Sequence, residues 1–374
     1  LVSASSVIRA QIERHGSLAF SRYQELALYG PGGFYTSGGA GRGRDFITSP
    51  EVGPLFGAVV SRFLDAVWVE VGRPDPFVVV EAGAGPGMLA ATILAARPDC
   101  MASLRYVLVD RVEHQRDRQA RRLPLVPAAE AFAASAENAE GDVVPPAAAG
   151  PLVVALETLP RQVDTGVIIA NELLDNLVID LVELRVDGWH EVRVGLIGDD
   201  LVEVLVPATE TLARTAERVA PTAETGVRVP IQHAAVEWLR EALDSLRSGR
   251  IVVFDYMRST MDMAAAGQAE WLRTYRDHER GGDPLVGPGR ADITCDVAID
   301  QLAFARQPAS VTTQHEWLRT HGIGSLVEEG RQIWHERASL GDLEAVRARS
   351  RVGEAEALTD VDGLGGFTVV EWRP

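Results

Sequence analysis

The chain has 374 residues, 46% of them hydrophobic, and a formal net charge of −17. That length supports a large core, divided between a main domain and an insertion or second lobe. The acidity argues against nucleic acid as a partner, because phosphates need a basic face, and no apolar run approaches the ~18 residues of a membrane span. All 36 basic residues are arginine, which excludes Walker and Schiff-base lysines. Cys100 and Cys295 stand in no pairing pattern, and the first residues carry neither a signal-peptide core nor an arginine-rich transit pattern; the expectation is a reduced, cytoplasmic protein. The eight histidines lack ligand spacing, so no metal site is expected.

Residues 1–28 read as two short helices with an apolar face. Leu28-Tyr29-Gly30-Pro31-Gly32-Gly33-Phe34-Tyr35 follows, then a glycine-rich loop through Arg44 and the segment Asp45-Phe46-Ile47-Thr48-Ser49-Pro50-Glu51. A helix begins near Gly53, with Leu55, Val59, Phe63 and Val67 on one face. The loop is either a connector or a lid over a ligand. Thr48 or Ser49 equally suits a cap of the helix, with Glu51 in its first turn.

Phe77-Val78-Val79-Val80 is a β-branched run suited to a parallel strand covered on both faces. It ends at Glu81, and Gly83, Gly85 and Gly87 then form a turn into a helix opening at Pro86. The pattern E-x-G-x-G-x-G is tighter than the dinucleotide fingerprint G-x-G-x-x-G. It is similar to the first motif of S-adenosylmethionine (SAM) methyltransferases. On that reading the Glu81 carboxylate answers the methionine ammonium and the helix N–H groups take its carboxylate. The next run, Leu104–Val109, ends at Asp110, placed to accept from both ribose hydroxyls. The competing reading is a tight strand-to-helix turn with no ligand.

Residues 112–123 read as an arginine-rich helix and 124–150 as a surface loop. Leu152–Leu156 is a third buried run, ending at Glu157, near where an adenine would lie. Gly166–Ala170 is a fourth, running into Asn171-Glu172-Leu173-Leu174-Asp175-Asn176. Repetition of strand and helix predicts a doubly wound, mostly parallel α/β sheet. A helical turn brings Glu172 beside Asp175, and two carboxylates can hold a guanidinium in a fork. Ordinary capping of the next helix by Asn171 explains the same residues.

Residues 178–206 alternate as a β-meander, with strands over Val178–Val186, Trp189–Ile197 and Leu201–Val206. A helix at 232–247 precedes a strand over Arg250–Tyr256. Residues 271–296, polar and aromatic with poor periodicity, suit an ordered functional loop. The tail closes with helices and a strand over Phe367–Trp372. Neither a G-x-S-x-G elbow nor a cysteine nucleophile context is present.

The ordered set Leu28–Tyr35, Asp45–Glu51 with Phe56-Gly57, Glu81–Gly87, Asn171–Asp175, Phe254-Asp255-Tyr256, Arg273–His278 and Asp292–Thr294 resembles the MidA family of SAM-dependent methyltransferases across nearly the whole chain. That family includes an assembly factor of mitochondrial complex I that methylates a protein arginine. The resemblance implies a Rossmann-like seven-stranded core, 71–177 with 248–374, preceded by an N-terminal helical lid, 1–70, and interrupted by an α+β substrate lobe, 178–247. It implies SAM as cofactor, S-adenosyl-homocysteine as product, and an arginine-bearing protein as substrate. Gly43, Asp45, Phe46 and Thr48 would enclose the cofactor with Glu81, Gly83, Gly85, Gly87, Asp110, Glu157 and Asn171. Glu172 and Asp175 would hold and polarise the acceptor, beside Asn171 and Tyr256. Two departures fall on the acceptor side: Asn176 and Val178 replace the family's Ala and Pro, and Met257 replaces a Gly. A small-molecule methyltransferase and a non-catalytic assembly factor are the alternatives, and the oligomeric state, homodimer included, is open.

Overall fold

A computed structural model describes residues 3–37, 48–132, 136–137, 143–144, 149–276, 279–340 and 342–374. The chain forms two compact units. One comprises Ile47–Asn171, Glu241–Phe254 and Pro308–Pro374; the other comprises Leu1–Phe46, Glu172–Arg240 and Asp255–Gln307.

The first unit is built on a seven-stranded sheet. Its strands are β1 (Phe77–Ala82), β2 (Leu104–Val109), β3 (Leu152–Leu156), β4 (Gly166–Asn171), β5 (Gly249–Asp255), β6 (Ser310–Thr313) and β7 (Thr368–Trp372), in the order β6-β7-β5-β4-β1-β2-β3. The pairings from β5 to β3 are all parallel, whereas β6 and β7 are antiparallel. The α/β class and the mostly parallel sheet therefore agree with the sequence reading. All six residues of β1 and of β2 are buried, as expected of central strands covered on both faces. The order reverses beside β1, where β4 lies on one side and β2 on the other, and open α/β sheets bind ligands at the carboxyl ends of such strands.

The helix Pro54–Glu70 buries Leu55, Val59, Phe63 and Val67, the stripe its periodicity gave. A Cβ on Gly57 would stand 2.1 Å from Thr92 Oγ1, so only glycine permits its close approach to the helix Met88–Ala96. Phe254 lies edge-on to both Phe56 and Trp317, at 5.5 and 4.9 Å between ring centroids.

The second unit holds the meander, with strands Asp180–Arg185, Gly188–Ile197 and Asp200–Pro207. Its first strand starts later than expected because the Ile179 N–H donates to Gln24 Oε1 at 3.0 Å, outside the ladder. Leu18–Ala19 and Arg228–Ile231 complete this sheet. The N-terminal helices, Ala4–His15 and Phe20–Tyr29, share a core with Leu181, Val192, Val194 and Trp271. Residues 271–296, expected as an ordered loop, contain an antiparallel sheet of Leu272–Arg276 with Asp292–Cys295 and Glu279–Arg280. The helices Glu210–Val219 and His233–Ser245 also belong to this unit except for the last turn of the second. Among the described residues no helix is long and apolar enough to cross a membrane.

Candidate active site

After Glu81 the chain turns through Gly83, Gly85 and Gly87, whose φ angles of 68°, 49° and 75° lie in the left-handed region. A Cβ on Gly85 would meet nothing within 4 Å, so that side of the turn is bare backbone. The Gly85 residue is gripped at both polar atoms. Its N–H donates to Asp110 Oδ2 at 2.9 Å, and its carbonyl accepts from Gln119 Nε2 at 2.8 Å. Arg122 Nη1 donates to the Pro86 carbonyl at 3.0 Å. The second Asp110 oxygen accepts from the Val112 N–H at 2.9 Å, which fixes the carboxylate plane. Burial pushes the Asp110 carboxyl above its ordinary range, and these two N–H bonds partly offset it.

Glu81 is buried, and its Oε2 accepts from the Tyr106 hydroxyl at 2.7 Å. Burial raises its carboxyl to about 7, opposed by the Tyr106 bond and by the Ala90 N–H in the first turn of the helix Met88–Ala96. A carboxyl with that pKa is about half protonated near neutrality, and a neighbouring ammonium would draw it back to the anion. Bare left-handed backbone, a fixed carboxylate at the end of β2 and an acid behind the turn fit a nucleoside-bearing, cationic cofactor.

The second unit carries a separate concentration of acids. The chain leaves β4 at Asn171, and Glu172 follows with φ 51°, a left-handed non-glycine residue. A 3₁₀ turn, Leu174–Asn176, comes next. Asp255, the last residue of β5, is fully buried and accepts from the Leu174 N–H and the Tyr256 N–H, each at 2.9 Å. Its carboxyl is pushed up to about 8 by burial and by the Glu172 charge. Asp175 is buried, and its Oδ1 has no hydrogen-bond partner among the described residues. Burial first, then Asp255 and Asp292, raise its carboxyl well above the usual range, while Arg273 works against them.

Asp292 accepts from Asn176 Nδ2 at 3.1 Å and lies 2.8 Å from the Tyr35 hydroxyl, which is also 2.9 Å from Asn176 Oδ1. Asp296 pairs with Arg273 and, at 2.7 Å, with Arg258 Nε. The Arg273 guanidinium lies 5.5 Å from the Tyr256 ring centre. Five carboxyls, from Glu172, Asp175, Asp255, Asp292 and Asp296, thus gather with two arginines. Such a set stabilises an incoming cation, because the raised carboxyls of Asp175, Asp255 and Asp296 ionise more readily as positive charge arrives.

The profile of a family described as "Putative S-adenosyl-L-methionine-dependent methyltransferase" matches residues 59–316. The chain belongs to this family. SAM is accordingly its cofactor, as the sequence reading expected. The methyltransferase is 28% identical over 319 residues to "Protein arginine methyltransferase NDUFAF7 homolog, mitochondrial" of Drosophila melanogaster, covering 79% of this chain and 68% of that protein. It is 26% identical over 332 residues to the Homo sapiens protein of the corresponding name, covering 84% and 72%. A crystal structure from Burkholderia thailandensis bound to S-adenosyl-homocysteine is 26% identical, with a TM-score of 0.78 over 99% of this chain and 92% of that one. A native structure from the same organism gives 27% and 0.78.

The cytoplasmic expectation is corrected by these relatives. Those of Drosophila melanogaster, Xenopus tropicalis, Homo sapiens and Bos taurus all carry "mitochondrial" in their names. The inference rested on thiol state and on the first residues of the sequence; Cys100 and Cys295 are free and buried, but a reduced thiol reports redox poise and not an address.

The remaining expected site residues are distributed as follows. Glu157 is exposed just beyond β3, and Asn171 is the half-buried last residue of β4. Thr48 precedes the short helix Ser49–Val52, and its N–H donates to Glu51 Oε2 at 3.3 Å. Gly43, Asp45 and Phe46 lie outside the described residues. Among the described residues no cluster of His, Cys, Asp or Glu could hold a metal. Sequence reasoning missed Tyr106, Tyr35 and Arg273 as partners of the acids, and Gln119 as the donor to the Gly85 carbonyl. Gln119 did leave a trace: Gln115 and Gln119 are an uncharged i,i+4 pair in a helix otherwise crowded with charge, and both are buried.

Proposed function

We propose that this methyltransferase transfers the SAM methyl group to a nitrogen of an arginine in a partner protein, releasing S-adenosyl-homocysteine. The observation that carries the arginine reading is the convergence of buried acids on Asp175, where burial and neighbouring negative charge push the Asp175 and Asp255 carboxyls up and a guanidinium would relieve them. The names of the curated relatives support the same acceptor class.

Bound SAM supplies an electrophilic sulfonium methyl. The chain's own work is to bind, orient and exclude water. Gly83, Gly85 and Gly87 would offer backbone to the cofactor, Asp110 would take its ribose hydroxyls, and Glu81 would balance its ammonium. Glu157 and Asn171, at the ends of β3 and β4, would complete the cofactor's surroundings. On the acceptor side Glu172 and Asp175 hold the guanidinium in a fork, with Tyr256 as a wall, and fix which nitrogen faces the methyl. Methylation of a guanidinium releases one proton, and a Glu172 oxygen takes it. The lobe 178–247 meets the partner protein.

The test is mass spectrometry of proteins from the source cell after incubation with methyl-labelled SAM. Label should appear as methylarginine and vanish with Glu172→Gln, while S-adenosyl-homocysteine affinity stays within about twofold, as expected for a group acting in the transfer alone. Full turnover by that variant removes Glu172 from the role assigned, and label on another residue type removes arginine as acceptor.

A further inference from the structure

Outside the acid cluster, the second unit has a cleft of about 320 Å³ whose lining includes Arg218, His233, Val236, Arg240, Gln301 and Phe304. Its charge is opposite to that of the chain: two guanidinium groups and an imidazole line it, and no carboxylate does. Arg218 lies over the Phe304 ring, 3.9 Å from its centre. A guanidinium held against a ring keeps its edge N–H donors for a planar or tetrahedral oxyanion. The side chains of Arg218 and His233 have no hydrogen-bond or ion-pair partner among the described residues. Arg240 meets only Glu237, on its own helix, at 3.2 Å, with both side chains exposed. That contact is weak and easily exchanged.

The floor of the cleft is fixed. Gln301 is buried; its Oε1 accepts from the Gln232 N–H at 2.8 Å, and its Nε2 donates to the Pro230 carbonyl and to Thr260 Oγ1. Gln232 in turn donates to the Asp296 carbonyl at 2.7 Å and accepts from the Ala298 N–H at 2.7 Å. His233 directly follows Gln232, which is anchored through its backbone N–H and both side-chain polar atoms. Arg218 lines the cleft without a counter-ion and Arg240 with only an exposed, exchangeable one, and the chemistry that answers both is a compact anion.

We infer that this cleft is an oxyanion subsite, taking a carboxylate or phosphate group between Arg218, His233 and Arg240. It shares no residue with the acceptor cluster and does not depend on arginine being the acceptor. Its size suits one such group with a short stem.

Isothermal titration of the whole chain with inorganic phosphate, and separately with succinate, at constant chloride, tests the assignment. Saturable binding of at least one is expected, weakened about tenfold or more by Arg218→Gln and by Arg240→Gln, as the loss of a charge-assisted bond requires. S-adenosyl-homocysteine affinity should not change in either variant. Preference for phosphate identifies a phosphoryl ligand, and preference for succinate a carboxylate; both support the site. Absence of saturable binding overturns it, as does binding equal in wild type and both variants, which marks an adventitious ion only. Arg240 is exposed on its helix, so its variant preserves the test if Arg218→Gln fails to fold.

Discussion

Replacing Gln119 by Leu tests whether the glycine turn is held ready for its ligand from the protein side. Gln119 is fully buried, and its Nε2 is 2.8 Å from the Gly85 carbonyl. Leu has nearly the same length but no donor, so the carbonyl loses its partner, at about 1–3 kcal/mol. The lower end applies, because Gln119 Oε1 has no hydrogen-bond partner among the described residues and its removal gives something back. The Gly85 N–H remains on Asp110 at 2.9 Å, so the turn loosens on one side only. A penalty of about 1.4 kcal/mol on the competent conformation lowers affinity about tenfold. Calorimetric titration with S-adenosyl-homocysteine measures it, and a thermal melt beside it should move by only a few degrees. Affinity within about twofold of wild type would refute the idea that the Gly85 carbonyl anchor organises the turn.

Gly85→Val separates binding from stability in another way. Its Cβ meets no atom within 4 Å, so the folded cost starts from the left-handed φ, about 1–2 kcal/mol. S-adenosyl-homocysteine binding should nevertheless fall roughly a hundredfold, through the loss of about 3 kcal/mol of backbone contact; unchanged binding places the ligand elsewhere. Gly57→Val should behave in the opposite sense, since its Cβ would stand 2.1 Å from Thr92 Oγ1: a large loss of melting temperature, as overpacking requires. A melt like that of wild type contradicts the close helix contact. For pH, Glu81 titrates at about 7 in the fold against an ordinary 4.5, so the folded state holds the extra proton between those values. Its contribution to stability is complete below pH 4.5 and is lost as pH rises through about 7. Glu81→Gln removes this slope, and the difference between variant and wild-type melts should favour the variant progressively from acid to neutral pH. A pH-independent difference contradicts the buried, proton-retaining carboxyl.

The central strands were readable because a parallel sheet covered on both faces demands unbroken apolar runs, and Phe77–Val80 and Val167–Ala170 are such runs. The edge strand Ser310–Thr313 was not readable. It has a single apolar residue, Val311, which is exposed, and it is held only by its antiparallel partner β7. The acids at strand ends stood out one at a time, since Glu81, Asp110 and Asp255 each close an apolar run. Their convergence did not stand out. Asp175, Asp292 and Asp296 come together through a 3₁₀ turn and a small antiparallel sheet more than a hundred residues later in the chain, and no local pattern encodes that distance. The small sheet of Leu272–Arg276 with Asp292–Cys295 went unread because its alternation, buried Leu272 and Thr274 against half-buried Arg273 and Tyr275, runs for only five residues.

The central claim is that the turn after β1 seats the sulfonium cofactor. A crystal structure of this chain grown with saturating S-adenosyl-homocysteine tests it most directly. The expected result is ligand density against the backbone of Gly83–Gly87, with both ribose hydroxyls on Asp110. Density elsewhere, or a turn closed over by side chains with the ligand excluded, would contradict it.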